Sequence, residues 1–269
     1  FPVDSGSIAS LTRAIVKYRP QIIFLETVAN GPDIPVLDVD GLFGALEVKG
    51  QKPLVILDNT LPAPTLLPLG EILKAYPNTL VVESGTKFYG LNAELCGMIY
   101  SYNEELLRKL RIRRRFGSIL TLSATETLGS VLLPKKEFHA RNRRILNNTL
   151  TLARACSEAG NIDFISSYPN LPNHPNYGYV NLKYPDGASP VLFIQVTDSK
   201  RLDQFRLTDK LWESPVVRQY CRLGQSFGFD QTRIWPDYSY PTVRIAGGTE
   251  SDVEIRELAE TFRVSLLEI

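Results

Sequence analysis

The residues Thr79-Leu-Val-Val-Glu-Ser-Gly-Thr-Lys87 carry the first clear signal. An apolar run of strand length passes directly into a turn of two hydroxyl residues, a glycine and a lysine. Upstream, Pro53-Leu-Val-Ile-Leu-Asp-Asn-Thr60 repeats the arrangement, its apolar run ending on Asp58. Earlier still, Gln21-Ile-Ile-Phe-Leu-Glu26 supplies another run. These runs are continuous rather than alternating, the mark of parallel strands covered on both faces. Helical patterns lie between them, at about Val39 to Val48 (ending at Gly50) and Leu67 to Tyr76. Ahead of them, Asp4-Ser-Gly-Ser7 starts a helix with Ile8, Leu11, Ile15 and Tyr18 on one face, stopped by Pro20. The alternation predicts an α/β fold: a mostly parallel sheet with helices on both faces. Gly97 to Tyr100 reads as one more strand.

Beyond this layer the texture changes. Glu104 to Arg115 is a charged helix, and a long helix runs from about Lys135 to Gly160 with Ile145, Leu152 and Cys156 inward. Residues 169–185, rich in Pro, Asn and Tyr, read as loop broken by a short strand around Tyr179 to Leu182. Strands follow at Val191–Val196 and Thr242–Ala246, with a helix from Lys200 to Glu213 between them. The last helix opens on the capping box Ser251-x-x-Glu254. The boundary falls in the long helix, giving residues 1–140 as part of an α/β domain and 141–269 as a smaller α+β domain.

Composition limits the function classes. The chain has 269 residues, 43% apolar and 22% charged, with a formal net charge of +1. Disordered and fibrous classes are excluded. The balanced charge gives no general pull on nucleic acid or anionic membrane. No apolar run approaches the ~20 residues that span a bilayer, and no signal-peptide pattern opens the chain. Three widely spaced cysteines, Cys96, Cys156 and Cys221, fit reduced thiols in the cytoplasm rather than a disulfide framework or a zinc site. With only His139 and His174, histidine-rich metal chemistry is not expected. The run Arg108 to Arg115 sits beside Glu104 and Glu105 and reads as a solvated helix face.

The chemistry concentrates where Asp58-Asn59-Thr60 and Ser84-Gly85-Thr86-Lys87 close neighbouring strands. Ligands of open α/β sheets gather outside the carboxyl ends of the strands. Alone, the first segment reads as an ordinary turn and Lys87 as a solvated loop lysine. Together they suit pyridoxal 5'-phosphate. A partly desolvated lysine can form an imine, and an aspartate can keep a pyridine nitrogen protonated. The Ser84 and Thr86 hydroxyls suit phosphate oxygens, and Gly85 permits close approach.

Three segments, Phe24-Leu-Glu-Thr-Val-Ala-Asn30, Leu57-Asp-Asn-Thr60 and Ser84-Gly-Thr-Lys-Phe-Tyr-Gly90, resemble the Cys/Met-metabolism family of pyridoxal-phosphate enzymes. That family holds cystathionine γ-synthases, cystathionine lyases and methionine γ-lyases, all of fold type I. The resemblance implies that Lys87 is the Schiff-base lysine and Asp58 the partner of the pyridine nitrogen. It sets Thr60 beside the ring, Asn30 near the phenolic oxygen, and Ser84 and Thr86 on the phosphate. Ser226-Phe-Gly-Phe-Asp-Gln-Thr-Arg-Ile-Trp-Pro236 is similar to the family's serine loop, and Val243-Arg-Ile-Ala-Gly-Gly-Thr-Glu250 to its arginine-bearing strand. Ser226 and Arg244 are thereby expected to hold a substrate α-carboxylate, which a guanidinium grips bidentately.

The resemblance further implies elimination or replacement at Cγ or Cβ of an amino acid such as cystathionine, a homoserine ester or methionine. It also implies dimers paired into tetramers. Its rivals are an aminotransferase of the same fold type and a non-catalytic fragment. The chain departs from the family pattern at Leu91-Asn92, where Gly-His is usual, at Gly31 between Asn30 and Pro32, and at Trp235-Pro236, where His-Pro is frequent. The similarity begins well inside the family's cofactor domain, so N-terminal sequence bearing the rest of the phosphate site is expected to be missing.

Overall fold

The computed structural model describes residues 2–62, 69–89, 97–116, 135–160, 163–198 and 202–269, in two compact units. Residues 1–29 and 36–134 form the first, and residues 30–35 with 135–269 the second.

In the first unit, β1 (Ile22–Glu26), β2 (Leu54–Asp58) and β3 (Thr79–Ser84) pair in parallel, and β4 (Gly97–Tyr100) joins β3 antiparallel. The helices are α1 (Ile8–Tyr18), α2 (Val39–Val48), α3 (Leu69–Ala75) and α4 (Glu104–Phe116). Short polar side chains start them. Ser7 accepts the Ser10 N–H at the head of α1, and Asp38 accepts the Gly41 N–H at the head of α2. Arg19, left-handed at φ 44°, ends α1 just before Pro20. Leu11 and Ile15 of α1 and Leu42, Phe43 and Leu46 of α2 pack with Ile23, Leu25, Val55, Leu57 and Val81 of the strands into one core. Cover on both sheet faces holds at β3, where Leu80 and Val81 are both buried. At the edge strand β1, Ile22 and Phe24 are each 59% exposed.

In the second unit the sheet order is β5-β6-β9-β8-β7. Its strands are β5 (Phe164–Ser167), β6 (Val191–Val196), β7 (Cys221–Leu223), β8 (Thr232–Pro236) and β9 (Thr242–Ala246). All neighbours are antiparallel except β7 and β8. Two long helices, α5 (Lys135–Glu158) and α9 (Asp252–Leu267), pack on each other, with α6 (Tyr177–Lys183), α7 (Gln204–Glu213) and α8 (Pro215–Tyr220) completing the unit. The capping box at Ser251 forms in both directions, and Ile145, Leu152 and Cys156 are fully buried.

The strand expected around Tyr179 to Leu182 is instead the helix α6. Val180 N–H donates to Asn176 O and Tyr184 N–H to Val180 O, the helical step. Val180 and Tyr184, four apart, turn fully inward, whereas Leu182 is 78% exposed; an alternating strand would have buried Val180 and Leu182 together. The helix expected from Lys200 starts at Gln204, because Asp203 caps it with two backbone N–H bonds. Strands β5, β7 and β8 were not anticipated. Leu67, Gly90, Leu91, Asn92, Cys96 and Lys200 lie outside the described residues. Cys156 and Cys221 are buried free thiols, and burial pushes Cys156 up to about 12. Among the described residues no helix is long and apolar enough to cross a membrane.

Candidate functional site

Parallel pairing sets Asp58 beside Val82, so β2 and β3 end side by side. The turn after β2 folds back on itself: Thr60 N–H donates to Asp58 Oδ1 at 2.9 Å. The turn after β3 then joins it, as Ser84 N–H donates to Thr60 Oγ1 at 2.8 Å. Asp58, Thr60 and Ser84 are thus one hydrogen-bonded chain across two strand ends. Oδ2 of Asp58 accepts no hydrogen bond among the described residues. Thr86 and Lys87 follow in the turn directly after β3, both half-buried. The structure therefore gathers Asp58, Thr60, Ser84, Thr86 and Lys87 at one end of the first unit's sheet.

A second polar row runs beneath this chain, one residue along from the Glu26–Asp58–Val82 register. Thr27 Oγ1 donates to Asn59 Oδ1 at 2.9 Å, and Asn59 Nδ2 donates to Glu83 Oε1 at 2.7 Å. Tyr89 OH lies 3.4 Å from Glu83 Oε2. Thr27 and Asn59 are fully buried and Glu83 is 5% exposed. Burial pushes the Glu83 carboxyl above the usual carboxylate range, against the hydrogen bonds from Asn59, Tyr89 and Tyr100; the Asp58 charge adds to the push. Sequence reading missed this row. The available signal was a lone acid closing an apolar run.

The other expected site residues belong to the second unit. Arg244 sits on β9, the middle strand of five, between Phe193 of β6 and Trp235 of β8 in register. It is 6% exposed on an inner strand, not in a surface ion pair at a sheet edge. Its Nη1 donates to Gln225 O, which ties the strand to the loop carrying Ser226. The Phe227 ring centre lies 5.7 Å from the guanidinium carbon. Nε and Nη2, a pair of donors suited to a carboxylate, are buried with no hydrogen-bond partner among the described residues. Burial pulls the guanidinium down to about 10, against the opposing charge of Asp237. A buried cation with an open fork calls for an anion.

Asn30 is exposed, in the loop 30–35 that belongs with this second unit. That loop is held by His174 Nε2, which donates to Asp33 O at 2.7 Å, and by Gln195 Nε2, which donates to Pro32 O and to Asp33 Oδ1. His174 Nδ1 accepts the Asn176 N–H, so the ring is engaged as a neutral imidazole, and burial holds its pKa below the usual value. Among the described residues no group of His, Cys, Asp and Glu is placed to hold a metal.

The chain is 27% identical over 175 residues to a putative cystathionine beta-lyase of Saccharomyces cerevisiae, covering 64% of this chain and 48% of that protein. It is 26% identical over 191 residues to a methionine gamma-lyase of Arabidopsis thaliana, covering 69% and 40%. The chain thus spans about half the length, or less, of these curated relatives. A cystathionine gamma synthase from Xanthomonas oryzae pv. oryzae, solved with cystathionine, superposes with a TM-score of 0.76 at 19% identity, over 98% of this chain and 67% of that one. That likeness shows the fold, that of the type I pyridoxal-phosphate enzymes. The model of the Cys/Met metabolism PLP-dependent enzymes matches residues 2–215, well over half of the chain, and to that family the chain belongs.

Proposed function

We propose that this protein is a pyridoxal-phosphate-dependent lyase or transferase of sulfur amino-acid metabolism. It would act at Cγ or Cβ of an amino acid such as cystathionine, a homoserine ester or methionine. The observation that carries the reading is the Asp58–Thr60–Ser84 chain at the ends of β2 and β3, with Lys87 three residues beyond Ser84.

The residues present suit the cofactor. Asp58 keeps one carboxylate oxygen for Thr60 and leaves Oδ2 for a pyridinium N–H, while the hydrogen bond to Oδ1 holds the carboxylate's orientation. The Ser84 N–H is committed to Thr60, and the Ser84 and Thr86 hydroxyls would serve the phosphate. Lys87 supplies the amine that attaches the cofactor, and Asn30 is the partner for its phenolic oxygen. When bound, pyridoxal phosphate supplies an electron sink that stabilises negative charge at the substrate Cα. Lys87, as free amine, takes and returns the Cα proton. Arg244, through Nε and Nη2, and Ser226 hold the substrate carboxylate, so the bond to be broken is presented in one orientation.

The assignment of residues 1–140 to cofactor binding and 141–269 to a C-terminal α+β domain belongs to this proposal. So do assembly into dimers or tetramers and a cytoplasmic location. Family membership supports them, together with buried Cys156 and Cys221 outside any disulfide.

Full-length protein supplied with pyridoxal phosphate is expected to release ammonia and a 2-oxo acid from cystathionine or methionine without an oxo-acid acceptor. With a homoserine ester and cysteine, a transferase would instead form cystathionine. Turnover that requires an oxo-acid acceptor and releases no ammonia would contradict the reading and make the protein an aminotransferase.

A further inference from the structure

We propose that Glu83 is a positioning residue for the cofactor cradle: through Asn59 and Thr27 it fixes the turn that presents Asp58 and Thr60. The inference rests on the cofactor reading above and adds a residue that takes no part in the cradle itself.

The turn Asp58-Asn59-Thr60 is gripped from two sides. On the cradle side, Thr60 bonds to Asp58 and Ser84. On the far side, Thr27 N–H donates to Asp58 O at 2.9 Å, and its hydroxyl, bonded to Asn59, also lies 3.3 Å from that oxygen. Asn59 N–H donates to Val82 O, which leaves its side chain to set how the turn leaves the sheet. That side chain is fully buried and engaged at both ends: Oδ1 accepts from the Thr27 hydroxyl and Nδ2 donates to Glu83.

Among the described residues, Glu83 Oε1 is the acceptor for Asn59 Nδ2. Without it a buried amide would turn or drag its turn toward another partner. The other titratable groups facing Glu83 are Asp58, Tyr89 and Tyr100. Both carboxyl oxygens are engaged in this row: Oε1 accepts from Asn59 Nδ2 and Oε2 from Tyr89 OH. Glu83 thereby acts on Asp58 from behind, at the cost of holding a carboxyl out of water.

The test is the dissociation constant and the absorbance maximum of pyridoxal phosphate bound to full-length protein. Glu83→Gln keeps an oxygen for Asn59 and is expected to bind within about twofold of wild type. Glu83→Leu is expected to bind about tenfold more weakly, the scale of one lost buried hydrogen bond, with a displaced absorbance maximum. A structural role alone would lower the unfolding midpoint of cofactor-free Glu83→Leu and leave both readouts unchanged, which would overturn the proposal. Should Glu83→Leu fail to fold, Glu83→Asp, one methylene too short for Asn59, decides it: weaker binding supports the role and wild-type binding overturns it. Wild-type protein that takes up no pyridoxal phosphate would instead sink the underlying cofactor reading.

Discussion

The two units handle buried polarity in opposite ways. At the sheet end of the first, donors and acceptors close on one another: Thr27, Asn59 and Glu83 on one side, Asp58, Thr60 and Ser84 on the other. In the second, β9 carries a buried guanidinium whose Nε and Nη2 have no partner among the described residues. A closed network fixes geometry; an open cation stores an unmet demand for an anion. The lesson is that position and affinity come from different physics. On the proposed reading, the residues that hold a rigid ring are braced by neighbours, and the one that captures a carboxylate keeps two guanidinium nitrogens without a partner among the described residues.

The largest test of that contrast is Arg244→Met in full-length protein. It removes the open cation while filling its volume, so substrate KM is expected to rise about 100-fold, corresponding to about 2.7 kcal/mol. Thermal stability should be unchanged or higher, because a buried charge is replaced by an apolar chain. A fall in melting temperature with unchanged KM would mean that Arg244 is a structural residue and the contrast is false.

Gly248 probes the frame around β9. A Cβ there would lie 2.5 Å from Asp230 O and 2.6 Å from Thr232 N, backbone atoms that cannot swing aside. Gly248→Ala is expected to destabilise the protein by about 2 kcal/mol, read by denaturant unfolding. In the first unit, Thr60→Val keeps the shape and removes the acceptor of the Ser84 N–H. The expected loss is about 1 kcal/mol, together with weaker cofactor binding. Unchanged cofactor affinity in Thr60→Val would show that the chain from Asp58 to Ser84 does not brace the site.

The smallest effect concerns the loop 30–35. His174 is neutral in the fold and its folded pKa lies below the unfolded value near 6.5. Its contribution is present above pH 6.5 and is lost as pH falls through the folded value, where the ring must take a proton at Nδ1 and surrender the Asn176 bond. His174→Gln should flatten that part of the stability–pH curve; an unaltered curve would remove His174 from the acid response.

Much of this was readable before any coordinates. Continuous apolar runs marked β1 to β3, and their polar endings marked Asp58 and Lys87, because a parallel sheet presents its strand ends on one side. Arg244 is flanked in sequence by apolar Val243, Ile245 and Ala246, neighbours that favour its burial. Its open fork was not readable, since it depends on which groups fail to reach it. Asn59 and Glu83 were equally hidden. They are 24 positions apart, and only the register of β2 on β3 makes them neighbours. Helix α6 was misread because its tyrosine-rich, proline-flanked stretch shows too few apolar positions to distinguish a helical period from an alternating one.

The most direct measurement is to add pyridoxal phosphate to full-length protein, reduce it with borohydride, digest it and locate the modified peptide by mass. The cofactor should be fixed on Lys87, and Lys87→Ala should lose the attachment. Attachment at another lysine, or undiminished attachment in Lys87→Ala, would contradict the assignment of the β2–β3 strand ends as the cofactor site.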